Sequence, residues 1–288
     1  MISTHELLLN SFDQRCEKYQ ANLVCCKKEF SNEAVHDLRV AIRRLLALLD
    51  LLRQVTPHES IQKLRWELKS QLDHLDELRD IQVMMAEFSE EIESFPDLHA
   101  LLKHLHKQEK RLLKDARTNI RAFKDISHPT QKLHTMLAAP AEEPGLEARA
   151  LAAVDEACAT VRSRLDRVNP LDTGTIHSVR IAFKRLRYMI EIIHPILPAY
   201  PAESHFKQMR ILQTCMGEIQ DIEVLLQTIS EFVTPENQDA LQPVRDYYSQ
   251  NHTTKITDFT QNMNAIKTVW RLSPDQPFPW QSTGRITP

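Results

Sequence analysis

Two short stretches of this chain gather, at one spacing, the side chains that bind anionic oxygens. Val35 to Leu51 reads VHDLRVAIRRLLALLDL, and Ile176 to Ile192 reads IHSVRIAFKRLRYMIEI. On an α-helix with His36 at zero, roughly 100° per residue puts Arg39 near −60°, Arg43 near −20° and Arg44 near 80°. Leu38, Ala41, Ile42, Leu45, Leu48, Leu49 and Leu52 fall on the opposite side. In the second stretch His177, Arg180, Lys184, Arg185 and Arg187 form the same stripe, backed by Val179, Ala182, Phe183, Leu186 and Ile190. Each helix would therefore turn one face to a core and present a concentrated cationic face. No Asp or Glu lies between Leu38 and Leu49 or from Ile176 to Ile190. A solvated helix face ordinarily mixes signs, because opposite charges one turn apart stabilise it and like charges repel. A face without acids, present twice, points to an anionic ligand. Arg offers forked donors suited to phosphate oxygens, Lys a point charge, and His a further donor near neutral pH.

The two stretches are copies. At an offset of 141 residues, His36/His177, Arg39/Arg180, Ala41/Ala182, Arg44/Arg185 and Leu45/Leu186 are identical, and Asp50/Glu191 is conservative. The same offset, without a gap, brings Leu78-Arg79-Asp80-Ile81-Gln82-Val83 onto Ile219-Gln220-Asp221-Ile222-Glu223-Val224. One register held over so long a span is the mark of a tandem duplication.

The elements that carry these faces are helical throughout. Gly occurs only 4 times and aromatics make up 6% of the residues, so strands and tight turns are poorly served. Apolar periodicity predicts helices near 4–29, 32–54, 58–94 and 97–125, then near 146–168, 174–194, 202–232 and 236–270. Breaks fall at Thr56-Pro57, Phe95-Pro96, Asn169-Pro170, Leu197-Pro198 and Thr234-Pro235, with caps at Ser31 and at Asp172 or Thr173. The domain reading is a first repeat over 1–125, a Pro-containing linker over 126–145, a second repeat over 146–271, and a Pro-rich tail over 272–288. That tail is expected to be extended, with Phe278 and Trp280 able to dock. The fold class is all-α, as tandem four-helix bundles.

Net charge is −3, so any polyanion partner must be read from local clustering and not from the whole chain. The five cysteines form no C-x-x-C pair and read as reduced thiols. The N-terminal residues lack a signal-peptide pattern and no run is apolar enough to span a membrane, so a cytoplasmic protein is expected.

The pattern VHDLRVAIRRL followed by WELKSQLDHLDELRDIQV, then IHSVRIAFKRLRY followed by LQTCMGEIQDIEVL, resembles the CHAD domain, the conserved-histidine α-helical domain. The likeness covers most of residues 1–270. It implies two four-helix bundles related by pseudo-twofold symmetry, with a basic central groove or pore that binds inorganic polyphosphate. Carried onto matching positions, the contacts would be His36, Arg39, Arg43 and Arg44, then His177, Arg180, Lys184, Arg185 and Arg187. Lys69 and Arg210, equivalent at the same offset, and the unmatched Lys207 would join from the following helices. Polyphosphate granules or a polyphosphate-metabolising enzyme are the implied partners and locations. Two departures stand out: Leu46 replaces the counterpart of Arg187, and Asp76 replaces the counterpart of Gly217, where the family pattern implies Gly. The recurring pair Asp80/Asp221 is expected to hold a motif Arg or His in place.

Other functions find less support. The triphosphate-cleaving modules associated with such domains carry ExExK, whereas Glu91-Ile92-Glu93-Ser94-Phe95 lacks the Lys; no P-loop, HExxH or nucleophile elbow occurs. His99, His104 and His106 do not share a helix face, so no metal site and no cofactor is expected. Nucleic acid is disfavoured because aromatic stacking platforms are not interleaved with the cations. An acidic protein docking on a helical scaffold is the remaining alternative.

Overall fold

The computed structural model describes residues 3–123, 126–138, 145–197 and 203–282. Eleven α-helices follow one another: α1 (Thr4–Glu29), α2 (Asn32–Val55), α3 (Glu59–Asp73), α4 (Asp76–Glu90), α5 (Leu98–Ala122), α6 (Ser127–Ala138), α7 (Leu146–Leu165), α8 (Thr173–Ile193), α9 (Glu203–Phe232), α10 (Gln238–Asn262) and α11 (Pro279–Ser282). The expected caps are in place. Ser31 Oγ accepts from the Ala34 N–H at the start of α2, and Asp172 Oδ1 accepts from the Gly174 N–H at the start of α8. The apolar backs of both motif helices are buried, from Leu38 to Leu52 in α2 and from Val179 to Ile190 in α8.

One predicted helix is two. The stretch 58–94 breaks at His74-Leu75, whereas its counterpart in the second copy continues unbroken as α9. The His74 ring donates Nδ1–H to the Ser70 carbonyl at 2.6 Å, and the Leu75 N–H turns back to Leu72 at 3.0 Å. Asp76 and Glu77 then open α4, where carboxylates favour the positive end of a helix.

The stretch 126–145, read as a linker, carries α6, which packs on α1 and α3 and buries Leu133 and Leu137. Residues 139–144 lie outside the described chain.

Two hydrophobic cores result, and the boundary between the copies is not a boundary between cores. The larger core joins α1, α2, α3 and α6 to α7, α8 and the first half of α9. The smaller one joins Ile81, Met84 and Phe88 of α4 and Leu98, Leu101 and Leu105 of α5 to α9 and α10, through Ile222, Leu225, Ile229, Leu241, Val244 and Tyr248. The segment 267–272 is strapped down. Arg162 donates to the carbonyls of Lys267, Trp270, Arg271 and Leu272, and Asp155 accepts from Trp270 Nε1 at 2.7 Å and from Arg271. Phe278 is 4% exposed and stacks on Trp280 at 4.9 Å, so both aromatics of the tail dock. All five cysteines are free thiols; burial pushes Cys26 and Cys158 up to about 11 each.

Candidate functional site

The motif helices α2 and α8 pack directly against each other, as do α4 and α9, and each motif helix also touches the α4 or α9 of its own copy. These four helices orient the cationic faces. The start of each motif helix is pinned at equivalent positions: Gln82 Nε2 donates to Asn32 Oδ1 at 2.5 Å, and Thr173 Oγ1 donates to Glu223. A turn or two further along, the side chains of both copies converge.

Arg39 is only 3% exposed, and its Nη1 lies 2.5 Å from Asp76 Oδ1. Arg43 Nη2 approaches the same oxygen at 3.7 Å, and Arg43 also feels the charges of Arg39 and Arg180. In the second copy the Arg180 guanidinium lies over Gly217, its Nε and Nη2 each 3.6 Å from where a Cβ would stand. Gly217 is the counterpart of Asp76, so the carboxylate that neutralises Arg39 has no equivalent beneath Arg180. The buried Arg180 Nε finds no hydrogen-bond partner among the described residues. Lys184 completes the cluster. Burial, followed by the charges of Arg43, Arg180, Arg187 and Arg39, brings its pKa down to about 7.

The histidines flank this centre. His36 is exposed, and its pKa is lowered by burial of part of the ring and then by Arg79, Arg43 and Arg39. His177 is half-buried, and its Nδ1 has no partner among the described residues. Asp80 and Asp221 are open to solvent on one side and walled by protein on the other. This desolvation raises both pKa values, opposed by Arg39 at Asp80 and by Arg180 at Asp221. No hydrogen bond ties either carboxylate to a motif Arg among the described residues; the ion pair to Arg39 comes instead from Asp76.

Other residues of the expected set are placed differently. Arg185 Nε reaches Asp50 Oδ2 at 3.3 Å, and Asp50 also accepts from Arg65 Nε at 2.6 Å. Arg187 is 7% exposed and bonded to Glu191 and to Gln213 Oε1, its guanidinium 4.5 Å from the Tyr188 ring centre. Arg44 is exposed, near Arg15. Lys69 pairs with Asp73 and Arg210 with Glu203, each on its own helix, while Lys207 is exposed without an ion pair among the described residues.

Two participants escaped sequence reasoning. Arg79, on α4, sits within reach of His36, Arg39, Asp80 and Asp221. It lies inside the matched string, but its counterpart is Gln220, so the repeat pairs it with no second cation. Asp50 had a legible signal: it and Glu191 are the acids retained where each acid-free face ends.

Among the described residues no group of three or more His, Cys, Asp or Glu side chains is placed to hold a metal ion, and no helix is long and apolar enough to cross a membrane. The fold and site define an all-helical, internally duplicated domain whose two copies bring their basic faces to one place. The chain belongs to the CHAD domain family, whose model matches residues 11–230. Its fold is similar to that of the CHAD domain from the plant Ricinus communis, at 20% identity and a TM-score of 0.72, covering 92% of this chain and 91% of that one. It is also similar to PptA from Streptomyces chartreusis, at 14% identity and a TM-score of 0.64, covering 91% of this chain and all of that one. At these identities the likeness is one of fold. A search of curated proteins returned no match.

Proposed function

We propose that this protein binds inorganic polyphosphate, without catalysis, in the basic groove where α2 and α8 meet. Arg180 and Lys184 supply the open half of the site, Arg39 and Arg43 the half shared with Asp76, and His36, His177 and Arg79 its rim. Asp80 and Asp221 act on Arg39 and Arg180 through charge alone. The observation that carries this reading is the crowding of cations. Arg39 and Arg43 of α2 and Arg180 and Arg187 of α8 lie close enough to add to burial in bringing Lys184 down to about 7, and a buried Arg180 nitrogen has no partner among the described residues. Such crowding costs stability until an anion enters.

The two copies are related by a pseudo-twofold axis through this groove, as repeats over 1–125, with five helices, and 146–271, with four, joined through 126–145, with 272–288 as a tail. Support comes from the equivalent ties Asn32–Gln82 and Thr173–Glu223, and from the packing of α2 on α8 and of α4 on α9, each an element against its own counterpart. Tyr188 is already taken up by Arg187 and buried, which favours a chain of phosphates over a strand of stacked bases.

Calorimetric titration with polyphosphate at two salt concentrations tests the reading. Wild type should bind in a salt-sensitive manner. Arg180→Ala/Lys184→Ala, with its melting temperature retained, should bind on the order of 100-fold more weakly, as loss of two charge-assisted contacts requires. Equal binding by the folded variant, or none by wild type, defeats it; an acidic protein partner would then be the better reading.

A further inference from the structure

We propose that the solvent face of α5 is a second binding strip for condensed phosphate, outside the groove between α2 and α8, so that a long chain is held at two places and a short one at one. The proposal deepens the polyphosphate reading and rests on it.

Lys103, Lys107, Lys110, Lys114, Arg117 and Arg121 follow one another at alternating intervals of four and three residues. At roughly 100° per residue all six fall within about 40° of a single line along the helix. All six are exposed, and none makes an ion pair among the described residues. The two acids of α5, Glu109 and Asp115, fall about 120° to either side of that line. At about 1.5 Å per residue the strip runs for about 27 Å.

A mixed-sign face would serve solubility as well and without repulsion. Nor does the fold demand a basic helix here. The counterpart α10 has Arg245 and Lys255 against Asp239, Asp246 and Asp258, and Lys255 is already paired with Glu218 at 2.6 Å. In a chain of net charge −3, a one-sign strip on one helix and not on its counterpart is a local feature with a local use. Its chemistry suits a flexible, repeating anion. Charges recur at every turn along a straight line, lysine point charges outnumber forked guanidiniums, and Phe30 is taken up under Arg117 at 5.1 Å. Leu112 and Leu113 are packed against the cores, so no apolar margin is left for insertion into a lipid surface.

The test is titration of tripolyphosphate and of long-chain polyphosphate into wild type, into Lys107→Gln/Lys110→Gln/Lys114→Gln, and into Arg180→Ala/Lys184→Ala. The strip variant should bind tripolyphosphate as wild type does. It should lose about tenfold in long-chain affinity, with a shallower salt dependence. Lys107→Arg/Lys110→Arg/Lys114→Arg, which keeps the charges, should restore both. Wild-type long-chain affinity and salt dependence in the Gln variant overturn the strip. So does displacement of long-chain polyphosphate from the Arg180→Ala/Lys184→Ala variant by single-stranded DNA of equal charge at a lower concentration, since the strip would then be a nucleic-acid surface. Failure of the groove reading looks different: the Arg180→Ala/Lys184→Ala variant would bind tripolyphosphate like wild type.

Discussion

A single carboxylate distinguishes the two halves of the proposed site. Asp76 lies 2.5 Å from Arg39 and 3.7 Å from Arg43, while its counterpart Gly217 leaves Arg180 uncovered. An incoming polyanion has to displace or tolerate Asp76 in the first copy and meets no such competitor in the second. Asp76→Asn should therefore tighten polyphosphate binding by a factor of about 3–10, or about 0.7–1.4 kcal/mol, by calorimetry. Lys184 gives the site a pH dependence. With a folded value of about 7 against an ordinary 10.5, the unfolded chain holds a proton that the folded chain lacks at pH values between them. Stability of the free protein should thus rise as pH climbs through that window. A bound polyanion favours the charged lysine, so binding at about pH 8 should take up a proton, and affinity should fall as pH rises further. Titrations in buffers of different ionisation enthalpy would read the uptake, and Lys184→Arg should abolish it while keeping the charge. Both acid-free faces were legible in the sequence, but which of their cations stay free was not. That depends on acids from other helices, as Asp76 and Asp50 demonstrate.

At the scale of elements, Asp50 is the pin among three helices. Its carboxylate on α2 takes Arg65 from α3 and Arg185 from α8, across the line between the copies. Asp50 is 10% exposed, whereas the two arginines are 35% and 33% exposed. Asp50→Ala should therefore cost about 2 kcal/mol, less than the roughly 3–5 of a fully buried pair, as measured by urea denaturation. The same variant should release Arg185 toward the solvent. Helix positions followed from periodicity with errors of a few residues, except where α3 and α4 part and at α6, which lies in the stretch read as a linker. The apolar rhythm of Leu68, Leu72, Leu75 and Leu78 runs straight through that break, so hydrophobic spacing alone could not reveal it. The turn is made by a hydrogen bond from the His74 ring and by the acids that open α4, which are local effects weaker than burial.

At the scale of the molecule, amphipathic faces announce that a helix needs a partner without saying which. The duplication and the all-helical class could be read from the sequence, but the exchange of partners that builds each core from both copies could not. The smaller core takes α4 and α5 from the first copy and α9 and α10 from the second. Residues 1–138 or 145–288 produced alone should accordingly expose apolar surface and lack fixed side-chain packing, seen as dye binding and loss of near-ultraviolet circular dichroism. Mixing the two fragments should recover a cooperative melt; a native-like melt from either one alone would contradict the shared cores.

Those shared cores also say something about ancestry. Each core draws helices from both copies, so a single unduplicated copy would close neither, and a duplication would start from a pair of identical chains. Fusing such a pair would make the encounter independent of concentration. It would also let each half accept changes that a symmetric dimer has to suffer twice, such as a carboxylate under one arginine but not the other.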